Sequence, residues 1–125
     1  AEIRTFERLG VPVTQFGRGC FIYGEPEQED KDMAAAGLRF VGERFAAGDL
    51  DLVILDEINV ACRIGLFSTQ ELMTLIAARP ATVEVVCTGR DAPPELIAAA
   101  DLVTEMRAIK HYYDTGVQAR DGIER

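Results

Sequence analysis

This 125-residue chain has no tryptophan, one histidine and three cysteines, and its 21 acidic side chains outnumber its 13 Lys and Arg. Each shortage removes a class of function. With His111 alone, neither a histidine metal cluster nor a Ser-His-Asp arrangement with a second His can be assembled. Cys20, Cys62 and Cys87 are far apart, odd in number and free of any CxxC or Cys/His pattern. That excludes a zinc site and a closed disulfide set, and points to free thiols in a reducing cytoplasm. A net charge of −8 argues against nucleic acid, which requires a basic face to displace counterions. No apolar run approaches the ~18–20 residues that span a bilayer. The opening "AEIRTFERLG" has no apolar h-region and no small-residue cleavage site, so it does not read as a secretory signal, and it is an odd start for a gene product in lacking Met. The expectation is a cytoplasmic chain with no nucleic-acid or membrane partner.

What remains is ordinary for a globular protein: 48% hydrophobic and 27% charged residues. At 13.7 kDa the chain has room for one core, and it is read as a single domain over 1–125. Strand and helix patterns alternate. "VPVTQF" (11–16) is β-prone and leads into the Gly-punctuated loop "GRGCFIYGEPEQED". Met33, Ala36, Phe40, Val41 and Phe45 recur at helical spacing and predict a helix over 27–47 that Gly48 stops. "LDLVILDE" (50–57) predicts a buried strand that breaks into a loop. Ser68 and Glu71 form a capping box that starts a helix, and Arg79-Pro80 ends it. "VEVVCTG" (83–89) predicts a second strand, "PPELIAAA" (93–100) a short helix, and "LVTEM" (102–106) a third strand. The alternation implies βαβ units and a parallel sheet covered on both faces, with ligands beyond the carboxyl ends of the strands.

The predicted strand ends carry the chemistry. "VILDE" is an apolar run ending on Asp56 and Glu57, the form of a Walker B segment. A nucleoside triphosphate brings Mg²⁺, a hard cation that carboxylates at a rigid strand tip can hold. The same pattern also arises where a strand simply meets solvent. In "TGR", Thr88-Gly89-Arg90, the glycine lets backbone approach a ligand and the arginine can take a phosphate oxygen. Taken alone, that triplet also reads as an ordinary turn. Glu105-Met106-Arg107 would mark a third strand end, and "RAIKHYYDTG" gathers Arg107, Lys110 and His111 with two tyrosines.

Together, "VILDEINVA", "VEVVCTGRDAPPELIAAADLVTEMRAIKH" and "TGVQARDGIE" closely resemble the ATP:corrinoid adenosyltransferases of the P-loop, RecA-like type. The resemblance extends to the loop "GRGCFIYGEPEQED" and so covers essentially the whole chain. It implies a RecA-like parallel α/β sheet with helices on both faces. It also implies transfer of the 5′-deoxyadenosyl group of ATP to the Co(I) of a reduced corrinoid, with release of triphosphate. Cobalt is then the nucleophile, and the chain needs no catalytic nucleophile of its own. By the same resemblance Glu57, with Asp56 beside it, would hold Mg²⁺. Arg90, Gly89, Thr88 and Lys110 would lie at ATP, and Phe21, Tyr23 and Asn59 at the corrinoid. A flavoprotein or similar reductase would supply Co(I), and the family commonly forms homodimers.

Two features depart from the family. The aromatic loop lacks the "GFTW" form, and no GxxxxGK[ST] phosphate loop occurs in these residues. The expectation is therefore that this is the C-terminal portion of such an enzyme, lacking the first strands and phosphate loop. Exposed strand edges would then make it poorly stable or self-associating. A binding module without turnover and a corrinoid-independent ATPase are the alternatives.

Overall fold

The computed structural model describes residues 2–19 and 22–123. In chain order its elements are α1 (Glu2–Arg8), α2 (Gln28–Ala47), β1 (Leu52–Leu55), α3 (Ile58–Arg63), α4 (Thr69–Ala77), β2 (Glu84–Cys87), α5 (Pro94–Ala99) and a 3₁₀ turn, Tyr112–Thr115. They fall into two compact units, one spanning Gln15–Asp101 and the other formed by Ala1–Thr14 with Leu102–Arg125.

In the Gln15–Asp101 unit, β1 and β2 pair in parallel, with Leu52 opposite Glu84 and Leu55 opposite Cys87. Because side chains alternate across a strand, Val53, Leu55, Val85 and Cys87 share one face. That face joins the core of Leu55, Cys62, Phe67, Leu72 and Leu96, to which α2 contributes Ala34, Leu38 and Val41. On the other face Leu52, Ile54 and Val86 are 51%, 58% and 43% exposed. Cover on both faces, expected from the apolar runs, is thus absent among the described residues.

Helix α2 begins where Glu27 N–H donates to Asp30 Oδ2 at 3.0 Å and stops at Gly48 in the left-handed conformation, φ 72°. Its apolar surface is wider than one stripe. Phe45 is buried, whereas Phe40 meets the Phe16 ring at 5.6 Å between centroids. Gly37 admits that ring, since a Cβ there would stand 3.0 Å from Phe16 Cγ. The predicted capping box is present: Ser68 Oγ accepts from Glu71 N–H at 3.2 Å, and Glu71 Oε2 accepts from Ser68 N–H at 2.8 Å. The Ser68 hydroxyl, donating to Glu71 Oε2 at 2.7 Å, and then the Ser68 N–H hold the Glu71 carboxyl below its ordinary range.

Three local expectations are corrected. Residues 11–16 form no strand: Pro12 removes a ladder donor, and Val11 N–H instead closes α1 through Phe6 O at 2.9 Å. Residues 102–106 form none either. Leu102 and Met106 are 85% and 91% exposed, and an apolar run without a neighbouring strand has no ladder to join. Finally, the chain after Asp56-Glu57 is not a loop but enters α3 directly, with Glu57 at its N-cap.

In the other unit, the 3₁₀ turn is capped by His111, whose Nδ1 accepts from Tyr113 N–H at 3.1 Å. The Tyr112 ring lies 4.8 Å from the His111 ring and 5.3 Å beneath the Arg120 guanidinium.

Candidate functional site

Parallel pairing puts the carboxyl ends of β1 and β2 side by side, so Asp56-Glu57 and Thr88-Gly89 become neighbours although they stand 31 or more positions apart in the chain. The ladder continues one step past the strands through Thr88 N–H to Leu55 O, 3.1 Å. The Thr88 hydroxyl then bridges the acids. It accepts from Glu57 N–H at 3.0 Å and donates to Asp56 Oδ1 at 2.6 Å. Glu57 holds a left-handed backbone, φ 56°, a conformation that costs a non-glycine residue about 1–3 kcal/mol and clusters at functional sites.

Gly89 is the open floor of this corner. Its φ is +114°, and a Cβ there would meet Glu57 Cα, Glu57 Oε2 and Asn59 Cβ, each at 3.3 Å. Only glycine combines that backbone with such close approach. Asn59 is buried at 5% exposure; its Nδ2 donates to Gly89 O at 3.1 Å and its N–H to Thr88 O at 3.2 Å. Its Oδ1 is buried with no hydrogen-bond partner among the described residues. Asp56, Glu57 and Arg90 are exposed, and Arg63 reaches Asp91 just beyond, Nε to Oδ2 3.3 Å.

This donor set fits a magnesium ion. Mg²⁺ takes one or two carboxylates and completes its shell with water and phosphate oxygens. Asp56 and Glu57 would supply the carboxylates, and the orphaned Asn59 oxygen leaves an acceptor unused. No group of three or more His, Cys, Asp or Glu side chains that could cage a metal exists among the described residues.

Of the residues expected at ATP and metal, Asp56, Glu57, Thr88 and Gly89 are brought together, and Arg90 follows in the chain. Lys110 lies exposed in the other unit. Asn59, expected at the corrinoid, has its side chain at the acid corner. Phe21 lies outside the described residues, and Tyr23 is 89% exposed. A cavity of about 360 Å³ lies between the chain at Phe16–Gly19, Ile22, Leu66 and the α2 residues Asp30 and Ala34. Its polar edge was not foreseen. Arg18 donates to both oxygens of the buried Asp30, Nε to Oδ1 and Nη2 to Oδ2 at 2.7 Å each, and to Glu27 Oε2 at 2.7 Å. Arg18 holds the Asp30 carboxyl below its ordinary range. The signal for α2's start was available, because acids at 27 and 30 stand three apart before an apolar helix; nothing local announced Arg18 as their partner.

The family model for ATP:corrinoid adenosyltransferase BtuR/CobO/CobP matches residues 1–125. A corrinoid adenosyltransferase of Pseudomonas aeruginosa is 39% identical over 108 residues, 86% of this chain and 53% of that protein. Corrinoid adenosyltransferase CobA of Salmonella typhimurium is 36% identical over 124 residues, 98% of this chain and 63% of that protein. One from Sinorhizobium is 43% identical over 74 residues, 58% of this chain and 35% of that protein. The chain thus spans about half the length of the curated relatives it matches. No helix among the described residues is long and apolar enough to cross a membrane.

Proposed function

Because the chain belongs to the ATP:corrinoid adenosyltransferase BtuR/CobO/CobP family, we propose that the protein carrying it transfers the 5′-deoxyadenosyl group of ATP to a reduced corrinoid. The observation that carries this reading is the corner itself, where Thr88 ties Asp56 and Glu57 to the end of the neighbouring strand. In the reaction, the electron pair of Co(I) forms the Co–C5′ bond, the C5′–O bond breaks, and triphosphate departs with that bonding pair. The substrate metal is the nucleophile, so the work of these residues is positioning and charge control.

Glu57, with Asp56 beside it, would hold Mg²⁺, which neutralises charge on the departing triphosphate when bound. Arg90 offers a planar, permanently charged donor set for a phosphate oxygen, and Lys110 a second cation. Gly89 keeps the floor low enough for the nucleotide to approach. Phe21 and Tyr23 would stand at the corrinoid's lower face. A RecA-like parallel sheet, a homodimer and a separate reductase that delivers Co(I) complete the proposal. These residues contain no GxxxxGK[ST] motif, so the reading assigns them the metal, the nucleotide approach and the corrinoid, and no phosphate cradle.

The test is anaerobic incubation of the full reading frame with MgATP and Co(I) corrinoid. The expected result is loss of the Co(I) absorption band with one triphosphate released per corrinoid consumed. Orthophosphate release at the same rate without corrinoid would overturn the proposal in favour of a hydrolase.

A further inference from the structure

We propose that Thr88 is the positioning residue of the acid pair, its one hydroxyl fixing the Asp56 carboxylate and the Glu57 backbone rather than binding the nucleotide. The inference rests on the metal and ATP reading above. The direction of each bond follows from chemistry alone. A backbone N–H can only donate, so Thr88 Oγ must be the acceptor from Glu57 at 3.0 Å. The hydroxyl proton is then free for the contact with Asp56 Oδ1, and an ionised carboxylate can only accept. At 2.6 Å this is a short, charge-assisted hydrogen bond.

Neither acid is held this way by its own strand. Glu57 sits in a left-handed conformation that its own sequence disfavours, and its N–H is satisfied across the sheet by Thr88. Backbone bonds seat the hydroxyl. Thr88 N–H reaches Leu55 O at 3.1 Å, and Thr88 O accepts from Asn59 N–H at 3.2 Å. Four hydrogen bonds therefore converge on one residue, two from its backbone and two from its side chain, and all reach residues 55–59. The hydroxyl engages one oxygen of Asp56 and none of Glu57. The two acids are thereby made unequal: Asp56 is oriented by the protein, and the Glu57 carboxylate is left over the open floor at Gly89.

Thr88→Val keeps the β-branched shape and removes the hydroxyl; Thr88→Ser keeps the hydroxyl and removes the methyl. Two readouts separate this inference from the function it rests on. The first is exchange of the Glu57 amide in the folded protein, which needs neither metal nor substrate. In Thr88→Val it should speed by about tenfold, the scale of one lost hydrogen bond. In Thr88→Ser it should stay near wild type, and the Leu55–Thr88 backbone bond should stay protected in both. Wild-type exchange at Glu57 in Thr88→Val overturns the inference whatever the enzyme does. The second readout is the KM for Mg²⁺ at fixed ATP in the full reading frame. It should rise roughly tenfold in Thr88→Val, recover in Thr88→Ser, and leave the KM for corrinoid unchanged. Equal rises for Mg²⁺ and corrinoid, or no recovery in Thr88→Ser, would show a merely structural threonine and overturn it. Wild-type protein without adenosyl transfer would sink the functional reading while leaving the exchange result to decide on Thr88.

Discussion

The unit Gln15–Asp101 and the unit made of Ala1–Thr14 with Leu102–Arg125 differ in what their apolar residues do. Every buried side chain among the described residues, from Asp30 to Leu96, belongs to the first. The second holds Leu102, Val103, Met106 and Ile109, all of them exposed. Both contain an apolar run that reaches acid, Asp56-Glu57 in the first and Glu105 in the second. In "VILDE" the run found a parallel partner, and its acids were tied across the sheet by Thr88. In "LVTEM" it found none, and Glu105 ends no strand. An apolar run is therefore a request for a neighbour, and chemistry at its end is built only where the request is met.

The sharpest way to break this comparison is truncation in each unit. Leu72 is fully buried, so Leu72→Ala should lower unfolding free energy by about 2–5 kcal/mol. Leu102→Ala should stay within about 0.5 kcal/mol. Denaturant unfolding of both variants reads the difference, and equal losses would abolish it.

Glycines sharpen it next. Gly89→Ala adds crowding against Glu57 to a left-handed strain and should cost about 1–3 kcal/mol while weakening Mg²⁺ binding. Gly116, at φ 87° with nothing near its absent Cβ, should cost about 1 kcal/mol when changed to Ala and leave Mg²⁺ binding alone. Calorimetric melts and metal titration separate the two.

A third test addresses the bare sheet face. Leu52, Ile54 and Val86 together should drive the isolated 125-residue chain to associate as its concentration rises. Ile54→Lys should shift its sedimentation toward monomer. A sharp two-state monomeric melt of the unmodified chain would contradict this.

The smallest effect is acid-side. Arg18 depresses the Asp30 carboxyl, so the pair's contribution is complete above the ordinary carboxylate value of about 4. It is lost as pH falls through the lower folded value. Unfolding followed from pH 6 down to pH 2 should show that loss, and Arg18→Gln should flatten it.

How much of this was legible follows the range of the interactions. The capping box at Ser68 and Glu71 and the stop at Gly48 are local, and both appear where the spacing put them. Helix α2 was placed to within one residue at its start, but its face was read as one stripe because Phe16, from outside the helix, covers Phe40 and Gly37. Asp56 and Glu57 were legible as candidates because an apolar strand rarely ends on paired acids. Their fixing by Thr88 was not, since it depends on a register that brings position 88 beside 56. The bond from Asn59 to Gly89 was not legible either, since its direction is set by α3 starting at once after Glu57.

The central claim is that the corner of Asp56, Glu57 and Thr88 serves adenosyl transfer and the 102–107 segment does not. Its most direct test is the rate of Co(I) band loss with MgATP in the full reading frame, for Glu57→Gln beside Glu105→Gln. The account predicts about a hundredfold loss for Glu57→Gln, from the missing metal ligand, and an unchanged rate for Glu105→Gln. Equal rates for the two variants would contradict it.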